Sequence, residues 1–232
     1  MPRLERITPV GVPVHVIQRG NNRQVIFADE SDFKVFASWL KTYSERFGVA
    51  VHAWCFMTNH VHLLCTCLSE NNAISKMMQT LGRQYVHYFN KKYERTGTLW
   101  EGRYRSCIVD EETYFFELYR YIELNPVRAG MVEAPDQYSW SSYPVNALGK
   151  ESDLCTPHPQ YLALGNSAKI RQANYRSLFQ ELLEEPLIEE IRQMTNKSLA
   201  IGSERFKLEI ETLTNRRVHA KARGRHTGWR KK

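Results

Sequence analysis

The chain has no apolar run near the ~20 residues needed to span a bilayer, so no transmembrane helix is expected. Its N-terminus, MPRLERITPVGVPVHVIQRG, lacks the apolar block of a signal peptide, and the expected compartment is the cytosol. There are five cysteines, an odd number, and no CxxC pair. That argues against a disulfide framework and against a zinc ribbon. Cys55, Cys65, Cys67 and Cys107 fall in strand-like runs and read as buried thiols. No internal repeat is visible. From Arg216 to the end, in RRVHAKARGRHTGWRKK, there is no acidic residue at all.

That last absence turns attention to what is present. The 232 residues carry a net charge of +7, and eight Lys or Arg lie in this terminal stretch. The block LFQELLEEPLIEEIR just upstream is acidic. A basic tail of this kind suits a polyanion, most simply nucleic acid, or serves as a solvated tail. An apolar fraction of 42% fits an ordinary folded protein, with one sizeable core or a domain of about 140 residues plus a smaller one.

GVPVHVIQRG (11–20) reads as a strand and NNRQ as a turn. Phe33, Phe36, Leu40, Tyr43 and Phe47 recur at helical spacing up to Gly48, a helix stop. VAVHAWCFM (49–57) and HVHLLCTC (60–67) read as a hairpin around Thr58 and Asn59. Residues 71–92 form an amphipathic helix, 103–110 a strand, and 111–125 a helix ended by Pro126. The order matches the split βαβ, ferredoxin-like class: an α+β fold with an antiparallel sheet and helices on one face, the other face able to hold a ligand. The expected divisions are a catalytic domain over 1–143, a helical appendage over 144–215 with a weak helix-turn-helix signal, and a basic tail over 216–232.

Two features carry chemistry. In a strand, His60 and His62 share a face, while Cys65 and Cys67 point the other way with Val61 and Leu63. Two imidazoles can bind one divalent ion if a third ligand arrives, but a bare His-x-His is as compatible with two histidines at a sheet surface. In YFFELYRYIELNPVRAG the stripe Phe115, Leu118, Tyr119 and Ile122 marks the buried face. Tyr121 lies on its flank, and Asn125 follows one turn later on the same side. Tyr114 is too far along the helix to share a site with Asn125.

NHVHLL resembles the His-hydrophobic-His (HUH) motif of single-tyrosine nucleases. YRYIELNPVRAG resembles the tyrosine helix of the REP-associated tyrosine transposases. VIQRGNNRQVIF, QTLGRQYVHYFNKKYERTGTLWEGRYRS and WSSY match the same family's texture in order, over about residues 9–143. The resemblance implies a metal-dependent, single-stranded DNA endonuclease and strand transferase, in a bacterial cytoplasm and on the nucleoid through DNA. It implies Tyr121 as nucleophile, forming a 5′-phosphotyrosine, and His60, His62 and Asn125 as ligands to Mg²⁺ or Mn²⁺. Asn in place of Gln as the third ligand favours the REP-associated branch over insertion-sequence relatives. The expected substrate is hairpin-containing repetitive DNA, and the protein is expected as a monomer or a homodimer.

A tyrosine near pKa ~10 needs help to lose its proton. No base is obvious; Glu117, one turn before Tyr121, is a weak candidate. Trp100, Arg103, Tyr104 and Arg105 combine cations and rings that suit a splayed single strand, or form ordinary strand alternation. Arg19, Asn21, Asn22 and Arg23 sit in a polar loop suited to base edges and phosphates. Arg83 and Arg128 are further DNA-binding candidates. Competing readings are a DNA- or RNA-binding protein with an inactive site, a replication or conjugation initiator of the wider HUH group, and a zinc hydrolase. The last lacks a recognisable carboxylate ligand.

Overall fold

The computed structural model describes residues 6–220. The part of the basic tail after Ala220 lies outside these residues. PVHVIQR forms β1 (Pro13–Arg19), and Asn21–Arg23 make one turn of 3-10 helix. α1 (Glu30–Phe47) begins at a capping box on Asp29 and ends at Gly48, whose φ of +64° suits glycine. β2 (Val49–Met57) and β3 (His60–Cys67) form the expected hairpin. α2 (Ala73–Lys92) and β4 (Arg105–Val109) complete the βαββαβ order.

α3 (Phe115–Glu123) and the single turn α4 (Asn125–Arg128) carry the tyrosine motif. Pro126 does not end the helical path as expected. The break is at Leu124, and Pro126 sits in the first turn of α4, where a missing N–H leaves no carbonyl unpaired. There follow α5 (Tyr143–Leu148), α6 (Pro159–Leu162), α7 (Ala168–Ser177), α8 (Glu185–Lys197), β5 (Ala200–Ile201) and α9 (Glu204–Thr214).

The strand order is β2-β3-β1-β4-β5. The first four strands are antiparallel, as the ferredoxin-like class requires, and β5 adds a short parallel edge beside β4. Strand parity sorts the sheet into two faces. Val14, Val16, Val61, Leu63, Cys65 and Cys67 pack with α1 and α2. Ala53, Cys55, Met57, Leu64, Cys107 and Val109 pack with α3, and that second core continues into Tyr143, Tyr161, Tyr175, Ile188 and Ile191. α1 and α2 thus cover one face as expected, and the other face is covered as well, apart from one cleft.

The segment over 144–215 is therefore no appendage. It shares a core with the sheet, and β5 hydrogen-bonds to β4 through Ile108 N to Leu199 O and Asp110 N to Ile201 O. With a sheet strand between α8 and α9, the region is helix–strand–helix and not the expected helix-turn-helix.

Candidate active site and nucleic-acid interface

The cleft opens on the second face of the sheet, where β1 ends and β3 begins, and has a volume of about 430 Å³. β3 supplies His60 and His62, on the face that parity predicts. α3 supplies Tyr121 and α4 supplies Asn125 and Arg128; all five line the cleft. The tyrosine ring stands edge-on to His62, with ring centres 5.8 Å apart and planes at 77°. Residues about sixty positions apart in the sequence thus meet in one chain.

Neither histidine is a sheet-surface residue in the ordinary sense. His62 is only 2% exposed. Burial, with Arg19 nearby, lowers the pKa of His60 to about 4. Burial, together with His60, His15, Arg128 and Arg19, takes His62 well below the usual imidazole range. Both rings are therefore neutral near pH 7, the form that binds a cation.

Behind them stands His15 on β1, fully buried, its Nε2 3.0 Å from His62 Nδ1. Burial lowers its pKa to about 3, with a smaller push from Arg128. His15 was not anticipated from the sequence. Alternation in VHVIQR puts it on one face with Ile17 and Arg19, but its partner lies 47 residues away.

Asn125 has two jobs in the structure. Its Nδ2 donates to the carbonyls of Tyr121 at 2.8 Å and Ile122 at 3.2 Å, closing the C-terminus of α3. Its Oδ1 accepts from Arg128 Nη2 at 2.9 Å and retains a second lone pair. Arg128 also donates to the Tyr121 carbonyl, and its guanidinium lies 4.3 Å from the centre of the Tyr121 ring. Among the described residues, Arg128 Nη1 is buried without a hydrogen-bond partner. A buried cation with an unspent donor is an anion-binding feature.

Glu117, the weak candidate for a base, pairs with Arg120 at 2.9 Å, so its carboxylate is held by a cation. α8 adds Glu189, Arg192 and Asn196 to the cleft wall, residues that no motif in the sequence marks. Among the described residues no group of three or more His, Cys, Asp or Glu is placed to hold a metal. The expected set of His60, His62 and Asn125 includes only two such residues, with an amide oxygen as the third donor.

The DNA-binding candidates other than Arg128 fall into three groups. Arg19 and Arg105 line the cleft of His60, His62 and Tyr121, and Arg105 Nη1 donates to Asn196 Oδ1. Asn21, Asn22 and Arg23 form the turn beside the hairpin, and the Arg23 carbonyl accepts from Asn59. Arg83, Trp100, Arg103 and Tyr104 line a separate pocket of about 330 Å³ against α2. A depression lined by Arg19, Gly102, Arg103 and Arg105 joins this pocket to the cleft. Tyr104 is 6% exposed, and its hydroxyl bonds to Ser75 at 2.6 Å, while Arg6 covers its ring. Trp100 spends its indole N–H on the Gly82 carbonyl. Both rings are walls of this pocket.

Residues 10–125 match the family described as transposase, IS200-like, and the chain belongs to that family. No curated protein matches the chain. Among solved structures, a REP-associated tyrosine transposase bound to a REP hairpin matches with a TM-score of 0.56 and 15% identity, over 68% of this chain and 93% of that one. The fold is therefore that of this transposase. A protein described as a transposase from Deinococcus radiodurans R1 shows 20% identity over 53% of this chain and 96% of its own, with a TM-score of 0.37, too low to bear on the fold. Among the described residues no helix is long and apolar enough to cross a membrane.

Proposed function

We propose that this transposase is a metal-dependent single-stranded DNA nicking and strand-transfer enzyme of the REP-associated tyrosine branch, acting on hairpin-containing DNA. The observation that carries the reading is the meeting of Tyr121, His60, His62, Asn125 and Arg128 in one cleft of one chain. A monomer then holds a whole site, and the catalytic unit runs past residue 143 to include α8.

The residues suit a divalent cation: two neutral imidazoles and an amide oxygen with a spare lone pair. His60, His62 and Asn125 would hold Mg²⁺ or Mn²⁺, which supplies polarisation of the scissile phosphate and neutralises charge that develops on it. Tyr121 Oη attacks phosphorus. The Oη–P bond forms and the P–O3′ bond breaks, leaving a 5′-phosphotyrosine and a 3′-oxygen that takes up a proton. Arg128, stacked on the ring, stabilises the phenolate and offers Nη1 to a phosphate oxygen. Arg19 and Arg105 bind flanking phosphates, and the strand continues past Gly102 toward the pocket of Arg83 and Arg103. Because the phosphotyrosine retains a reactive phosphodiester, a 3′-hydroxyl can reverse the step elsewhere.

The test is a labelled single-stranded hairpin oligonucleotide incubated with the protein and Mg²⁺ or Mn²⁺, resolved on a denaturing gel. A covalent protein–DNA band is expected, absent in Tyr121→Phe and in reactions with chelator. Binding without any adduct under every metal tried would overturn the reading in favour of a nucleic-acid-binding protein with an inactive site.

A further inference from the structure

His60 and His62 can ligate a cation only through ring nitrogens that carry no hydrogen. Two contacts behind the rings decide which nitrogens those are. His60 Nδ1 lies 2.6 Å from Asn59 Oδ1. The Asn59 amide is oriented by its own Nδ2, which donates to the Arg23 carbonyl at 3.2 Å. An amide oxygen only accepts, so in the neutral ring the hydrogen sits on His60 Nδ1 and Nε2 keeps its lone pair.

His62 is held from deeper in the protein. Its Nδ1 faces His15 Nε2 at 3.0 Å, and the two ring planes differ by 7°. His15 Nδ1 in turn lies 3.1 Å from Thr195 Oγ1 on α8. Thr195 is fully buried on α8, so the His15 ring is held on both of its nitrogens inside the protein. One direction of donation gives each ring hydrogen a buried acceptor: His62 Nδ1–H to His15 Nε2, and His15 Nδ1–H to Thr195 Oγ1. That direction leaves His62 Nε2 as a lone pair too. In the opposite direction His62 Nε2 would carry a hydrogen.

We infer that Asn59 and His15 are positioning residues that fix His60 and His62 in the Nδ1–H tautomer, and that Thr195 holds His15 in its role. Thr195 lies beyond residues 10–125, the segment that matches the family. A helix outside that segment is thus part of the support of the two ligand histidines. The inference rests on reading the histidine pair as the cation site.

Two measurements on the full chain test it. In the metal-free protein, long-range ¹H–¹⁵N NMR of the imidazoles should show both His60 and His62 as Nδ1–H. Mn²⁺ binding, followed by the electron paramagnetic resonance signal of the free ion, should weaken about 10- to 100-fold in His15→Leu and in Asn59→Ala, and measurably in Thr195→Val. His15→Gln and Asn59→Asp, which keep an acceptor, should recover most of the affinity. Asn59 is half-exposed, so Asn59→Ala decides even if His15→Leu does not fold. An Nε2–H tautomer at His62, or unchanged Mn²⁺ binding in folded Asn59→Ala and Thr195→Val, would overturn the inference. If the wild type binds no Mn²⁺, the proposed function fails by itself, and the tautomers still report on the relay.

Discussion

At the scale of single residues, Arg128 brings a guanidinium against the Tyr121 ring. Among the described residues it has one donor unspent and forms no ion pair, and burial lowers its pKa. Negative charge developing beside the Tyr121 ring would offset the cost of that placement. Arg128→Met should reduce the single-turnover rate of adduct formation at saturating DNA by roughly 10²–10³, the usual loss for one electrostatic contact to a developing charge. Arg128→Lys should recover little, because an ammonium neither stacks flat on the ring nor bonds the Tyr121 carbonyl and Asn125 at once. A lysine variant with near wild-type rates would reduce Arg128 to a generic cation. The same scale shows what a linear reading can reach. Parity alone set His60 and His62 on one face, because that rule needs only neighbours. His15 and Thr195 were out of reach because their contacts join strands and a helix up to 180 residues apart.

At the scale of elements, the tyrosine helix is fastened by a residue hidden within its own motif. Glu123 is fully buried at the end of α3. It accepts from Ser142 Oγ at 2.5 Å, from Asn146 Nδ2 on α5 at 3.0 Å, and from the Tyr175 hydroxyl on α7 at 2.7 Å. One carboxyl therefore ties α3 to two helices that the sequence suggested were a separate appendage. Burial outweighs those donors and raises its pKa to about 7. Between about pH 4.5 and 7 the folded chain keeps a proton that the unfolded chain has released. The stabilising contribution is complete below that window and lost as pH rises through it, by up to about 3 kcal/mol. Thermal melts at pH 5, 6.5 and 8.5 should show Glu123→Gln gaining on the wild type as pH rises; parallel curves would show that Glu123 does not titrate. The element pattern also explains what was readable. The helices α1 and α2 announce themselves through long apolar stripes and clear stops. β5 has two residues, too few for any alternation, and exists only because β4 offers it an edge.

At the scale of the whole molecule, neutral buried histidines set the response to acid. His52, with its ring nitrogens on the Thr156 carbonyl and the Thr66 hydroxyl, and His158 are lowered to about 4, first by burial. His60 is lowered to about 4 and His15 to about 3, and His62 is lowered too. An unfolded chain protonates these rings near pH 6.5, while the folded chain resists until far lower pH. Their contribution is thus intact above pH 6.5 and falls as pH drops, by about 1.4 kcal/mol per pH unit for each ring once well below it. All five shifts have the same sign, opposite to that of Glu123, so acid weakens the fold as pH falls below 6.5. Circular dichroism should therefore show cooperative unfolding between about pH 6 and 4. Mn²⁺ should move the midpoint to lower pH if it binds His60 and His62, since only the folded chain holds the two together. His52→Gln, which removes one titrating ring outside the cleft, should lower the midpoint without changing the Mn²⁺ effect. A chain that stays folded at pH 4 without metal, with a midpoint that neither Mn²⁺ nor His52→Gln moves, would show that these rings do not govern the response to acid.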